Sequence, residues 1–213
     1  MDPSFWHRKW EENQIGFHNN EANPLLVNYF DKLSLVRGQR IFVPLCGKTL
    51  DISWLLSKGY QVVAIELSET AIEQLFAEMD VVPDITQEGE LKHYHAQGLD
   101  IYVGDFFTLT HDILGRVDAI YDRAALVALP ENMRVKYTHH LMTMTNHAAQ
   151  LLISYTYDQS KTDGPPFSIS TDEVQSHYAS SYAITLVARV DVPGGMRGKS
   201  AATENVWILK PHI

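Results

Sequence analysis

Three charged residues follow short apolar segments, and side chains of these types could bind a nucleoside. Glu66 follows the apolar run 61–65, Asp105 comes just after a second run, and Arg123 closes a third. Ligands of α/β sheets bind outside the carboxyl ends of the strands, where residues at such positions converge. A carboxylate at this edge can accept hydrogen bonds from ribose hydroxyls, so the pattern predicts a nucleoside site.

Glu66 is the most informative of these residues. Its separation from Gly47 is close to the roughly 20 residues expected between a ligand-binding turn and a ribose-binding carboxylate. An acidic residue there would equally suit the first turn of the next predicted helix, 68–79, because the helix dipole favours negative charge. Spacing alone leaves both interpretations open.

The stretch from Arg40 to Glu66 must position this carboxylate. Ile41-Phe42-Val43 predicts a buried strand, and Leu45-Cys46-Gly47 predicts a turn. A helix follows from Asp51 and ends at Gly59, and 61–65 predicts a second strand. This order is half of a nucleotide-binding βαβ unit.

The turn narrows the class of nucleotide. It has one glycine, whereas a dinucleotide fingerprint needs G-x-G-x-x-G. Phe42 stands where a phosphate-binding loop ending in Gly47-Lys48-Thr49 would need its first glycine. A mononucleoside without phosphates fits better, and S-adenosylmethionine is the obvious candidate. Cys46 lacks the context of a nucleophile elbow and is interpreted as a packed small residue.

Further polar residues lie at the same predicted edge. Asp105 could meet an adenine amino group with Phe106 against the ring, or it could belong to an ordinary Gly-Asp turn. At the other end, Ser4 to Asn13 predicts a helix with Trp6 and Trp10 on one face. This helix is either a lid over the cofactor or an element fixed to the domain by its tryptophans.

The rest of the chain predicts one α/β domain. Strands are expected at 99–103, 117–122, 149–156, 182–192 and 204–210, with helices between most of them. Residues 80–98 are polar, with a short hairpin near 91–95 as one interpretation. The alternation predicts a mostly parallel sheet with one antiparallel edge, because the last two strands follow each other directly.

Composition excludes several classes of protein. The chain has 213 residues and a net charge of −9, which argues against nucleic acid or an anionic membrane as partner. One cysteine excludes an intrachain disulfide, and no signal-like or membrane-spanning apolar segment is present. We therefore expect a cytoplasmic enzyme. The pairs His93/His95 and His139/His140 come without H-E-x-x-H or a Cys–His cluster, so no metal site is predicted.

Four longer motifs resemble the thiopurine S-methyltransferase family, in its bacterial form. They are FWHRKWEENQIGFH, FVPLCGKTLD, VDAIYDRAALVALP and ISYTYDQSKTDGPPF, and the resemblance runs through nearly the whole chain. It implies a class I S-adenosylmethionine-dependent methyltransferase fold, Rossmann-like, with a seven-stranded sheet. We expect a monomeric single domain over 1–213, with 1–20 as an amino-terminal lid.

The implied activity is methyl transfer from S-adenosylmethionine to the sulfur of small aromatic or heterocyclic thiols such as thiopurines. The alternative is methylation of selenium or tellurium compounds in metalloid detoxification, and a cofactor-binding module without catalysis is a third reading. The family implies cofactor contacts at Trp10, Leu45, Glu66 and Arg123, adenine-side neighbours at Asp105 and Phe106, and a substrate contact at Arg197.

Arg123 is the residue that we expect to contribute to catalysis. Its charge could hold the cofactor carboxylate or favour an anionic acceptor, without a covalent nucleophile. The alternative is a structural pair with Asp122 or Asp118.

Overall fold

A single nine-stranded sheet forms the centre of the protein in a computed structural model, which describes residues 3–12, 14–16 and 18–212. Its spatial order is β3-β4-β5-β2-β1-β6-β7-β9-β8. The strands are β1 (Arg40–Pro44), β2 (Gln61–Glu66), β3 (Asp84–Glu88), β4 (Leu91–Ala96), β5 (Leu99–Val103), β6 (Ala119–Arg123), β7 (Ala149–Tyr157), β8 (Tyr182–Asp191) and β9 (Ala202–Pro211).

Helices cover the sheet on both faces. They are α1 (Pro3–Glu11), α2 (Pro24–Tyr29), α3 (Asp51–Ser57), α4 (Glu69–Glu78), α5 (His111–Leu114), α6 (Glu131–Met144) and α7 (Thr171–Tyr178). Asn23 caps α2 by accepting a hydrogen bond from the Leu25 N–H, and Pro24 occupies the first helical position. Among the described helices, none has the length and apolar character that a membrane crossing requires.

The parallel centre follows from the apolar runs of the sequence. Val62, Val63, Ala64 and Ile65 of β2 are fully buried, because strands β1 and β5 flank β2 and both sheet faces are covered. Alternate residues enter different cores. Val63 and Ile65 belong to one hydrophobic cluster and Val62 and Ala64 to the other. Burying each larger side chain contributes roughly 1.5–3 kcal/mol.

The sheet has nine strands and two antiparallel edges, where seven strands and one antiparallel edge were predicted. Among the described residues, β3 and β4 add two antiparallel strands beyond β5. Every residue of β3 is exposed, so its sequence lacks the apolar signal of a buried strand. The expected antiparallel pair is present at the opposite edge as β9 and β8.

The amino-terminal prediction holds for most of its length. Helix α1 spans Pro3–Glu11 instead of Ser4 to Asn13. Asn13, where the predicted helix ends, lies outside the described residues.

Candidate active site

A cavity of about 850 Å³ opens at the carboxyl ends of the central strands. Sites for small ligands have volumes of about 300–1,000 Å³, so this one could hold a nucleoside cofactor together with a small acceptor. Its wall includes all seven residues named from the sequence, which are Trp10, Leu45, Glu66, Asp105, Phe106, Arg123 and Arg197.

The turn after β1 forms one wall through its backbone. Leu45 has φ +46° and Gly47 has φ +53°, the left-handed region that a non-glycine residue rarely adopts. The Cys46 N–H donates to the Ile65 carbonyl at 3.0 Å, which ties the turn to the end of β2. The Cys46 thiol is buried, and burial and then the charge of Glu66 raise its pKa well above the usual range. It is therefore protonated and is a packing residue, not a nucleophile.

Glu66 is held at the end of β2 by backbone donors. Its Oε2 accepts from the Gly47 N–H at 2.8 Å, and its Oε1 accepts from the Ser68 N–H at 2.9 Å. Burial raises the pKa of Glu66, while these hydrogen bonds act in the opposite direction. Glu66 precedes α4, so it orders the helix entry and also faces the cavity. The contact at the helix entry is observed, and the ribose contact stays a prediction.

Asp105 and Phe106 lie where β5 ends. Asp105 is exposed and its Oδ1 accepts from the Phe107 N–H at 3.0 Å, which is the cap of a short 3₁₀ helix. Phe106 is buried, with its ring 4.8 Å from that of Tyr137. Phe107 also lines the cavity and is only partly buried. The sequence analysis did not select Phe107, although it directly follows the chosen pair.

Arg123 is the last residue of β6 and lies beside the cavity. It does not form the structural ion pair with Asp122 or Asp118 that was the alternative from the sequence. Asp122 is fully buried and accepts from the Tyr137 hydroxyl at 2.7 Å and the Leu126 N–H at 3.1 Å. Asp118 interacts with Arg116 and with the backbone of Arg40. Within the described part of the chain, the Arg123 guanidinium has no hydrogen bond or ion pair.

Helix α1 covers the cavity with an aromatic face. Trp10 is 4% exposed, and Phe5, Trp6 and Lys9 line the same wall. The Phe5 and Trp6 rings meet edge to face at 5.2 Å. Both interpretations of the tryptophans remain compatible with this arrangement, since a covering helix is also packed on the domain.

Arg197 also lines the cavity, and its guanidinium joins two loops. It donates to the carbonyl of Pro165 at 2.6 Å and that of Asp163 at 3.3 Å. Arg197 has φ +51° and lies in the glycine-rich bend 193–198 between β8 and β9. Its contacts to the 163–166 loop show a structural task in addition to its place in the cavity wall.

Asp51 and His18 are polar residues of the wall that were not selected from the sequence. Asp51 is buried, accepting from the Asn23 N–H at 2.6 Å and the Tyr121 hydroxyl at 2.9 Å. Its position at the start of the helix that follows the turn could have indicated a place in the cavity wall. His18 is the one histidine among the described lining residues. Burial and then the charge of Lys48 lower the pKa of His18, with Glu78 opposing them.

Solved structures define the class of protein that this fold belongs to. The 1,6-didemethyltoxoflavin-N1-methyltransferase of Burkholderia thailandensis, solved with S-adenosylhomocysteine, matches with a TM-score of 0.64, covering 99% of this chain and 87% of that one at 16% identity. A SAM-dependent methyltransferase from Anabaena variabilis matches at 0.62, covering 98% and 95% at 11% identity. The fold is that of S-adenosylmethionine-dependent methyltransferases.

Sequence relatives define the family. The profile of Thiopurine S-methyltransferase (TPMT) matches residues 1–211. The thiopurine S-methyltransferase of Xanthobacter autotrophicus is 49% identical over 211 residues, covering 99% of both chains. That of Acinetobacter baylyi is 48% identical over 213 residues, covering 98% of both. The chain belongs to the thiopurine S-methyltransferase family, and it is an enzyme that transfers methyl groups from S-adenosylmethionine.

Proposed function

We propose that this enzyme methylates the sulfur of small aromatic or heterocyclic thiols, including thiopurines. The observation that carries the proposal is the Arg123 guanidinium, which has no partner among the described residues and borders an otherwise mainly apolar part of the cavity. A fixed positive charge beside an apolar wall suits a flat acceptor that carries its negative charge on one atom.

The order of the strands supports a division of the cavity into two ends. The turn after β1, Glu66 after β2 and Asp105 after β5 lie on one side of Arg123. We assign this end to the cofactor, with Glu66 accepting the ribose hydroxyls, Leu45 and the turn backbone alongside, and Trp10 as cover. Asp105 and the Phe106–Phe107 segment are assigned to the adenine side.

The other end contains the residues for the acceptor. Beyond β6 the wall is formed by Val127, Leu129, Met133, Pro165, Pro166 and Met196, with Arg197 holding the 163–166 loop. Apolar walls of this kind bury aromatic ring surface, which contributes about 25 cal/mol per Å². Arg123 lies between the two ends, because β6 stands between β1 and β7.

For this reaction the protein mainly has to position the two reactants, and none of its side chains needs to form a covalent bond. S-adenosylmethionine supplies the electrophilic methyl group, and the acceptor sulfur displaces its sulfonium. Arg123 stabilises the thiolate, which is the nucleophilic form, and lowers the pKa of an acceptor thiol bound beside it. The protein also holds the two reactants in line and excludes water.

A panel of acceptors tests the proposal. Turnover with S-adenosylmethionine is measured on thiophenols, thiopurines, selenols and inorganic selenium and tellurium compounds. Aromatic and heterocyclic thiols should have the highest kcat/KM. A higher kcat/KM for the selenium or tellurium compounds would replace the proposal with a role in metalloid detoxification. Cofactor binding without turnover on any member would indicate a binding module and would contradict both.

The proposal takes the chain as one monomeric domain, with residues 1–20 as its lid. The amino-terminal helix lies over the cavity, and its aromatic residues would shield the reacting sulfur from water.

A further inference from the structure

We propose that His93, His95 and Asp100 bind a divalent transition-metal ion of the zinc type, at a site separate from the active site. One ring nitrogen of each histidine and a carboxylate oxygen of the aspartate lie within 4.8 Å of one another. Two imidazoles and a carboxylate form a donor set that suits Zn²⁺ better than Mg²⁺ or Ca²⁺, which prefer oxygen ligands.

Strand pairing assembles this set. His93 and His95 are alternate residues of β4, so their side chains stand on the same face of the sheet. Antiparallel pairing of β4 with β5 places His95 directly opposite Asp100 and His93 opposite Tyr102. Asp100 is not recognisable from sequence as a third ligand, because only the pairing of β4 with β5 brings it beside the histidines.

The distances are those of hydrogen bonds and are shorter than the separations between ligand atoms around a bound ion. The ring nitrogens Nε2 of His93 and Nδ1 of His95 lie 2.9 and 2.8 Å from the same Asp100 oxygen, Oδ1. Ligand atoms about 2.0–2.2 Å from zinc in a tetrahedral site are roughly 3.4 Å apart. Small ring rotations would make room for the ion. The His95 side chain is 54% exposed, so its ring has room to move outward when an ion replaces the hydrogen bond to Asp100, and water can occupy the fourth position.

Surrounding contacts fix the orientation of two of the ligands. The His93 ring stacks on that of Tyr102 at 4.7 Å with an interplanar angle of 16°. The other Asp100 oxygen accepts from the Arg40 guanidinium at 3.0 Å, and Arg40 also donates to the Leu114 carbonyl. Partners of this kind orient metal ligands in characterised sites, and a carboxylate ligand is usually itself hydrogen-bonded.

The position of the site assigns it a structural role. Asp100 lies near the beginning of β5, and Arg40 is the first residue of β1. The cofactor cavity is at the opposite, carboxyl ends of these strands. A bound ion would link β4 to β5 and so fasten the β3–β4 pair to the sheet. It should raise thermal stability and leave the rate of methyl transfer unchanged.

Calorimetric titration of the full chain with Zn²⁺ tests the proposal. The wild type and the control His139→Ala, which removes an exposed histidine of α6, should bind one equivalent at this site with equal affinity. His95→Ala should raise the Kd at least tenfold and abolish the zinc-dependent increase in Tm. Because His95 is more than half exposed, its replacement should leave the fold intact.

Two results overturn the proposal. The first is absence of zinc binding to the wild type, in which case the cluster is only a hydrogen-bonded group around Asp100. The second is a change in Kd of less than tenfold in His95→Ala, which would place the zinc elsewhere. Co²⁺ absorption gives a readout independent of any variant. Visible bands of nitrogen and oxygen ligation should appear on the wild type and disappear on adding Zn²⁺, and their absence would also count against the site.

Discussion

Replacing Glu66 by glutamine should separate its two possible roles, because the change keeps the shape of the side chain and removes its charge. The two carboxylate oxygens accept from the Gly47 and Ser68 N–H groups. Each oxygen has capacity for another hydrogen bond, so both could also accept from ribose hydroxyls. Glutamine has one acceptor oxygen, and its NH₂ group would face a backbone N–H on the other side.

The expected loss can be estimated from these contacts. Hydrogen bonds to a charged group contribute about 1.5–3 kcal/mol. The Kd for S-adenosylhomocysteine should therefore rise roughly 10- to 150-fold in Glu66→Gln. Burial raises the pKa of Glu66, so the wild-type affinity should fall as the carboxylate is protonated in mildly acidic solution. The affinity of the glutamine variant should lack this pH dependence.

Calorimetry at neutral pH measures the change. Glu69→Gln is the matched control, since Glu69 is three residues further on, binds Lys92 and Tyr94 and does not line the cavity. Unfolding curves show whether each variant keeps its fold. Unchanged affinity in a folded Glu66→Gln protein, or an equal loss in Glu69→Gln, would refute the assignment of Glu66 to the ribose.

Three further expectations concern the lid, the core and the acceptor loop. Amide exchange over residues 4–18 should slow on adding S-adenosylhomocysteine, whereas equal protection with and without it would count against a lid. Burial raises the pKa of Asp122 to about 6, so the wild type loses stability as pH rises from about 4 to 6. In urea unfolding, Asp122→Asn should gain up to about 3 kcal/mol relative to the wild type between pH 4 and pH 7, and a constant difference would contradict this. Arg197→Ala should raise the KM for a thiophenol about tenfold with little change in kcat, because it releases the 163–166 loop. An unchanged KM would remove the loop from the acceptor site.

The centre of the fold and its ligand edge were predictable because they depend on local signals. Apolar runs identify the strands. The turn, Glu66 or Arg123 that follows each run shows which end of the strand carries polar groups. The structure brings these residues to one cavity, as the sequence predicts.

Other features depend on contacts between distant residues. Strand β3 is wholly exposed, so pairing with β4 forms it without an apolar pattern. The bond from Arg197 to the Pro165 carbonyl joins loops that are 32 residues apart, and no local pattern encodes it. The pairing of His95 with Asp100 likewise requires the register of β4 against β5.

The most direct test of the account is the pH dependence of methyl transfer across a series of substituted thiophenols. The account predicts that the rate near pH 7 follows the fraction of thiolate, and that it falls in Arg123→Ala, because the charge of Arg123 stabilises the nucleophile. His18→Asn serves as the control for a base, since a lowered pKa leaves this histidine unprotonated near neutral pH. The variant should keep the dependence on thiolate. Equal rates for weakly acidic aliphatic and acidic aromatic thiols, independent of pH and lost in His18→Asn, would show a dedicated base and contradict the account.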